Sequence, residues 1–150
     1  MSTKQLDTLL KFEKNKEQKS AQELQKSEQD YQNNLLRLSS VGDFRLEYMK
    51  RVSERSLNGI DSATYGHYHA FIAKLDNASE QVKIAITQAK ALLEQRKAQW
   101  LAQRRKVQAV EMLRDKQLAK FALVAAKQEQ KMLMKSLLSN IFADNFNEIV

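Results

Sequence analysis

The chain of 150 residues has no cysteine and no proline, only three glycines, and 7% aromatic residues. Without cysteine, neither a disulfide framework nor a thiolate metal site can form. Because proline interrupts helices, its absence over this length favours long, uninterrupted helices. With 29% charged residues, the chain also has little bulky material for a globular core. Long tracts of Ala, Glu, Lys, Leu, Gln and Arg then predict a long-helix or coiled-coil protein.

Long apolar runs are also missing. The longest, FALVAA at residues 121–126, is far too short to span a bilayer, and the N-terminal stretch MSTKQLDTLLKFEKNKEQ has no apolar segment of signal-peptide length. The sequence therefore predicts a soluble protein with no direct membrane insertion, and the lack of cysteine fits a reducing cytosol. The net charge is +7, and basic residues are densest between Arg96 and Lys120. An acidic partner surface is the natural complement of that window.

Two long segments follow the alternating steps of four and three that define a heptad repeat. Eight of the fourteen positions of the first frame are apolar, and a polar gap runs from Glu13 to Ser20. Its positions are Leu6, Leu10, Glu13, Glu17, Ser20, Leu24, Ser27, Tyr31, Asn34, Leu38, Val41, Arg45, Tyr48 and Val52. Twelve of the seventeen positions of the second frame are apolar. Its positions are Tyr68, Ile72, Leu75, Ser79, Val82, Ile86, Ala89, Leu93, Arg96, Trp100, Gln103, Val107, Val110, Arg114, Gln117, Phe121 and Val124.

The stretch SLNGIDSATYG, residues 56–66, separates the two frames and holds two of the three glycines. Asn58 and Gly59 can end a first helix, and Asp61 or Ser62 can cap a second one. A connection this short predicts an antiparallel two-helix coiled-coil hairpin, with residue i lying near residue 120 − i. We expect a single domain with helix 1 at about 3–57, a turn at 58–62, helix 2 at about 63–138 and a tail at 139–150.

The second helix is predicted to be longer than the first, so about residues 118–138 have no first-helix partner. That part carries an apolar stripe that includes Leu118, Phe121, Val124, Met132 and Leu137. Exposed apolar surface of this kind marks a binding site, and its occupant is either another protein or a second copy of the chain. The tail SNIFADNFNEIV changes composition, and we interpret it as a flexible or separately docking segment.

The sequence shows no constellation that would carry catalysis. His67 and His69 are two residues apart, point to different faces of a helix, and are assigned to the surface or to packing at the turn. No phosphate-binding glycine loop is present. We therefore predict no enzyme activity, no cofactor and no metal site. The run Arg104, Arg105 and Lys106 is either a solvated helix face, a contact for an acidic protein or, lacking interleaved aromatics, a less favoured nucleic-acid contact.

Two stretches resemble the flagellar FliJ family. GIDSATYGHYHAFIAKLDNASEQVKIAITQ is similar to its turn and the start of its second helix, with Tyr68, Phe71, Ile72 and Leu75 on the pattern Y-x-x-F-[IL]-x-x-L. WLAQRRKVQAVEMLRDKQ resembles its Trp-containing stretch. The family positions there are occupied by Trp100, Val107, Glu111, Leu113, Asp115 and Lys116. The resemblance covers about residues 45–135.

The resemblance implies a coiled-coil stalk of the flagellar type III protein export apparatus, similar in shape to the gamma subunit of rotary ATPases. The implied partners are the hexameric flagellar export ATPase, whose ring pore the stalk enters, the export gate membrane protein, and export chaperones that it escorts. Nucleic acid is not among them. The implied location is the cytoplasm, peripherally at the inner face of the cell membrane at the flagellar base.

Two sets of site residues follow. By resemblance, the gate-binding surface comprises Phe71, Leu75, Ala78 and, less directly, Val82. The alternative for Phe71 and Leu75 is packing in the seam against Tyr48; Leu75 lies in the heptad frame, whereas Phe71 is offset from it. The end remote from the turn is expected to enter the ring, where basic side chains meet acidic loops. The residues assigned to that contact are Lys11, Lys14, Arg104, Arg105, Lys106, Arg114 and Lys116.

Two other functions fit the same pattern. One is the equivalent stalk, or a chaperone, of a virulence-type injectisome. The other is a basic coiled coil that binds nucleic acid, for which phosphate contacts would be strongest at low salt.

Overall fold

A computed structural model describes residues 2–149, which form two α-helices and no strand. Helix α1 comprises Thr3–Leu57 and helix α2 comprises Ser62–Ile149. Only residues 58–61 connect them, and the two helices pack against each other. The predicted all-α helical hairpin is therefore confirmed.

Helix α1 begins with a capping box. The Ser2 hydroxyl accepts a hydrogen bond from the Gln5 backbone N–H at 3.2 Å, and the Ser2 N–H donates to the Gln5 side-chain oxygen at 3.0 Å. These two bonds satisfy N–H groups that have no partner within the helix, which fixes where the helix starts.

Gly59 ends helix α1. Its φ of +83° is the only positive φ among residues 2–149. The Asn58 N–H donates to the Arg55 carbonyl at 3.1 Å, and the Gly59 N–H donates to the Ser56 carbonyl at 3.3 Å. Glycine adopts this left-handed conformation without the steric penalty of a Cβ, so it closes the last turn of the helix at low cost.

Asp61 caps the start of helix α2. Its Oδ1 accepts a hydrogen bond from the Thr64 backbone N–H at 3.1 Å, and its carbonyl accepts from the Tyr65 N–H at 3.1 Å. The sequence left Asp61 and Ser62 as alternatives, and the structure selects Asp61. Hydrogen bonds from Thr64, first from its side chain and then from its backbone, lower the pKa of the Asp61 carboxyl because they stabilise the charged form.

The chain divides into two compact units. We call Lys16–Gln103 the turn unit, because it contains both sides of the turn. We call residues 2–15 together with residues 104–149 the terminal unit.

In the turn unit, a seam of buried residues runs between the helices. Its most buried members are Ser27, Asn34, Val82, Ala89, Leu93 and Gln103. The Asn34 amide donates to the Asp30 carbonyl at 3.1 Å, so this buried polar group is satisfied within its own helix. Arg45 forms an ion pair with Asp76, and Arg96 forms one with Glu23. In both pairs the partner of residue i lies within one residue of 120 − i, as predicted.

The terminal unit contains a shorter seam followed by a lone helix. Leu6, Leu10 and Val107 are buried in the seam. Asp7 pairs with Arg114 at 3.7 Å, one residue from the predicted register, whereas the long side chains of Lys14 and Glu111 pair at 3.5 Å although Glu111 lies five residues from it. Every α2 residue from Leu118 to Ile149 is exposed, including the frame positions Phe121 and Val124. The predicted overhang is therefore present.

The expected end of the second helix needs correction. Helix α2 does not stop at residue 138 but continues through Ile149. Residues 139–149 contain neither proline nor glycine, and Asn, Asp and Phe weaken a helix by only a few tenths of a kcal/mol each relative to better helix formers. The change in composition is therefore not a stop signal. Val150, the last residue of the expected tail, lies outside the described residues.

The Asp61 cap predicts a specific pH dependence of stability. Because the folded-state pKa is lowered, its contribution is fully present above the unfolded value of 3.8 and is lost as pH falls through the folded pKa. Asp61→Ala should lower the melting temperature at pH 7. Asparagine also caps helices but does not titrate, so Asp61→Asn should keep most of the stability that the cap contributes.

Thermal unfolding followed by circular dichroism between pH 7 and pH 2 provides the measurement. The wild-type protein should lose more stability than Asp61→Asn in the range below pH 4. Parallel pH curves for the two proteins would show that Asp61 does not act as a charged cap.

Candidate protein-binding surfaces

Four aromatic rings cluster near the turn, and all belong to the turn unit. The ring centres of Tyr48 and Phe71 are 4.5 Å apart, those of Tyr48 and Tyr68 are 5.3 Å apart, and those of Phe44 and Phe71 are 6.2 Å apart. The Tyr68 hydroxyl accepts a hydrogen bond from Arg55 at 2.8 Å. Such pairs contribute roughly 0.5–1.5 kcal/mol each beyond their buried area, so this cluster holds α1 and α2 together beside the turn.

The predicted gate-binding residues divide between surface and seam. Phe71, Leu75 and Ala78 are half-buried, and each keeps part of its side chain accessible. Val82 is only 6% exposed and lies in the seam, so it is not accessible to a partner in this conformation. Phe71 therefore combines the two roles that the sequence left as alternatives: it packs against Tyr48 and still offers part of its ring to the surface. Gate binding itself stays a prediction.

Phe44 is the member of this surface that sequence reasoning missed. It is 50% exposed and contacts Phe71 from α1. The position lies outside the heptad frame, and the register rule places residue 76 opposite it. The available signal was its spacing of four from Tyr48, which puts both rings on one side of α1, stacked with centres 6.5 Å apart.

The two histidines take the surface and packing roles assigned to them. The His69 ring meets the Tyr65 ring edge-on at 4.4 Å, and His67 is exposed. Across residues 2–149, no group of three or more His, Asp or Glu side chains could hold a metal ion. Over the same residues, neither helix has a stretch long and apolar enough to cross a membrane.

The seven predicted ring-binding residues all belong to the terminal unit but do not share one environment. Lys14 forms an ion pair with Glu111 at 3.5 Å, and Arg114 lies 3.7 Å from Asp7. These two side chains therefore connect the helices. The others are exposed: Lys11, Arg104, Arg105, Lys106 and Lys116. Exposed ion pairs contribute about 1 kcal/mol or less, so even Lys14 is held only weakly.

The lone part of α2, from Leu118 to Ile149, exposes a long row of large apolar side chains. None of them is buried against the start of α1, the other segment of the terminal unit. They are Leu118, Phe121, Leu123, Val124, Met132, Leu133, Met134, Leu137, Leu138, Ile141, Phe142, Phe146 and Ile149. Contiguous exposed apolar surface is typical of interaction sites.

Comparison with known proteins gives two matches. Residues 2–133 match the model of a family described as Flagellar FliJ protein. A flagellar FliJ protein of Salmonella typhi is 29% identical over 94 residues, which cover 63% of this chain and 64% of that protein. The matched part thus spans slightly less than two thirds of the relative's length. No solved structure matches the chain.

The aromatic cluster predicts that Phe71 stabilises the hairpin. Phe71→Ala should lower the free energy of unfolding by about 1–2 kcal/mol, because it removes ring contacts with both Tyr48 and Phe44. Leu46→Ala, at a 67% exposed position of the same unit, should change it by less than about 0.5 kcal/mol. Urea denaturation measures both values. Equal effects of the two substitutions would mean that Phe71 is a surface residue without a packing role.

Proposed function

The chain belongs to the flagellar FliJ protein family, and from this premise we propose that it is the coiled-coil stalk of the flagellar type III export apparatus. In this role it binds the pore of the hexameric export ATPase and promotes the assembly and activity of that ring. It also links the ring to the export gate and escorts export chaperones. The flagellar family match favours this apparatus over a virulence-type injectisome. The observation that carries the proposal is a helical hairpin with a basic, partly single-helical terminal unit.

The terminal unit supplies the surface proposed to enter the ring. It contains the start of α1, the exposed basic side chains of α2 and the lone helix that follows them. A single helix is about 10–12 Å wide with its side chains, which suits insertion into a narrow pore. Exposed Lys and Arg side chains suit acidic loops, and such contacts weaken as salt screens them.

The turn unit supplies the surface proposed to contact the gate. Phe71, Leu75 and Ala78 are half-exposed there, and the aromatic cluster fixes the position of the Phe71 ring. A rigid aromatic side chain loses little entropy when a partner covers it, so it makes an effective anchor. Val82 supports this surface from within the seam.

The proposed role is mechanical and regulatory rather than catalytic. Residues 2–149 form two helices with a thin seam between them, and their exposed basic and apolar side chains suit recognition of a partner. The proposed location is the cytoplasm, at the inner face of the membrane at the flagellar base, where ring and gate meet.

Charge reversal should separate ring binding from folding. The triple variant Arg105→Glu/Lys106→Glu/Lys116→Glu should reduce stimulation of the cognate export ATPase by about tenfold or more, because three lost contacts of about 0.5 kcal/mol each correspond to that factor. The matched variant Lys26→Glu/Lys50→Glu/Lys90→Glu makes the same charge change at exposed positions of the turn unit. It should change stimulation by no more than about twofold.

The measurement is ATP hydrolysis by the purified ATPase with each protein, together with co-sedimentation at low and high salt. Circular dichroism should show both variants folded. If the wild-type chain neither stimulates the ATPase nor co-sediments with it at low salt, the proposed function is wrong.

A further inference from the structure

The C-terminal overhang, defined as residues 118–149, is exposed along its whole length. An isolated helix without a packed face is marginal in water, because most helical stability comes from packing. Its exposed apolar side chains therefore need an occupant. The match to the family model ends at residue 133, yet apolar residues continue to Ile149. The part from residue 134 onward is thus outside what the family model shares, and its occupant has to be inferred from its own residues.

One face of the overhang has the spacing of a helix-packing surface. Met134, Leu137, Leu138 and Ile141 follow the pattern i, i+3, i+4, i+7, which places them on one side of α2. All four are more than half exposed. In the structure, Met134 and Leu138 line a shallow groove together with Lys127, Gln130, Lys131 and Lys135. The face is therefore apolar at its centre and basic on its N-terminal side.

The two ends of this face carry charges of opposite sign. Lys127, Met134, Ile141 and Glu148 are each seven residues apart and so lie along one line of the helix. The line begins with a positive charge, continues with two apolar residues and ends with a negative charge. Neither Lys127 nor Glu148 forms an ion pair among the described residues.

Two copies of this face have complementary charges when one copy runs in the opposite direction to the other. In an antiparallel pair, Lys127 faces Glu148 of the other copy and Met134 faces Ile141, and the same two contacts repeat by symmetry. At the centre, Leu137 of each copy then faces Leu138 of the other. A parallel pair would instead place Lys127 against Lys127 and Glu148 against Glu148, which is repulsive at both ends.

We propose that the C-terminal overhang binds a second copy of this chain, as an antiparallel helix pair with its two-fold axis at Leu137 and Leu138. The interface is isologous, with each copy giving the same face. Burial of the four apolar residues drives association, and the terminal charges set the orientation. Because the proposed function inserts the same lone helix into the ring, the pair and the inserted helix are alternative states of the overhang, and the test of the pair uses the chain alone.

Because the chain has no cysteine, single-cysteine variants report the orientation directly. Leu137→Cys lies at the proposed axis and should form a disulfide-linked dimer under mild oxidation. Gln130→Cys lies seven residues before Leu137 and therefore on the same side of the helix as Leu137. In the antiparallel pair its two copies are about 22 Å apart at 1.5 Å per residue, beyond the reach of a disulfide, so it should stay uncrosslinked. Crosslinking of both variants to equal extent would indicate a parallel pair and overturn the proposal.

Two neighbouring methionines provide a matched test of the face. Met134 is 61% exposed on the proposed face, and Met132 is 72% exposed on the opposite side of the helix. Light scattering after size exclusion should give a concentration-dependent mass that approaches twice 17.4 kDa for the wild-type chain. Met134→Glu should abolish the dimer, whereas Met132→Glu should shift its dissociation constant by no more than about twofold. Circular dichroism should show equal helicity in both variants.

Charge exchange tests the register. Glu148→Lys should weaken the dimer about fivefold or more, and adding Lys127→Glu should restore it, because the reversed pair is again complementary. A wild-type chain that remains monomeric at about 200 μM overturns the proposal, whether or not the overhang then binds a different protein. Equal effects of the two methionine substitutions, or no rescue by the charge exchange, would contradict the assigned face and register.

Discussion

In each of the two units, the structure depends on the pairing of α1 with α2 along a seam. Each helix alone exposes apolar side chains at heptad spacing, and only the other helix covers them. The short turn enforces the antiparallel direction, since Gly59 ends α1 and Asp61 starts α2 within a few residues. A seam between two helices is only one layer of side chains thick. The candidate surfaces for recognition lie on the outside of the two helices.

The seam also determines which surfaces remain open. In the turn unit, residues that flank the seam stay half-exposed, and the aromatic cluster around Phe71 fixes them in place. In the terminal unit, the seam ends where α1 begins, and α2 continues alone from Leu118. The same constraint thus produces a rigid aromatic surface in one unit and a long uncovered helix in the other. Proteins that act by recognition need surfaces of this kind, and family membership connects them to the flagellum.

The sequence predicted the seam well because heptad spacing reflects burial directly. Every frame position from Leu6 to Val52, and from Tyr68 to Gln117, is buried or half-buried. It predicted the turn because glycine and capping residues have specific backbone roles, although Asp61 and Ser62 are both residue types that cap helices, so the sequence alone does not choose between them. It missed Phe44 because Phe44 lies outside the heptad frame. Its large ring reaches Phe71 from a position beside the seam, and heptad spacing does not predict such a contact. The end of α2 was misplaced because polar residues weaken a helix without stopping it.

The register in which residue i of α1 lies near residue 120 − i of α2 determines where the overhang begins. Disulfide trapping in this cysteine-free chain tests it most directly. Ser27, Leu93 and Val82 are all buried in the turn unit, so two pairs of substitutions can be compared at equal burial. Ser27→Cys with Leu93→Cys should crosslink rapidly within one chain, whereas Ser27→Cys with Val82→Cys should not. Crosslinking of the second pair in place of the first would contradict the register and, with it, the origin of the overhang.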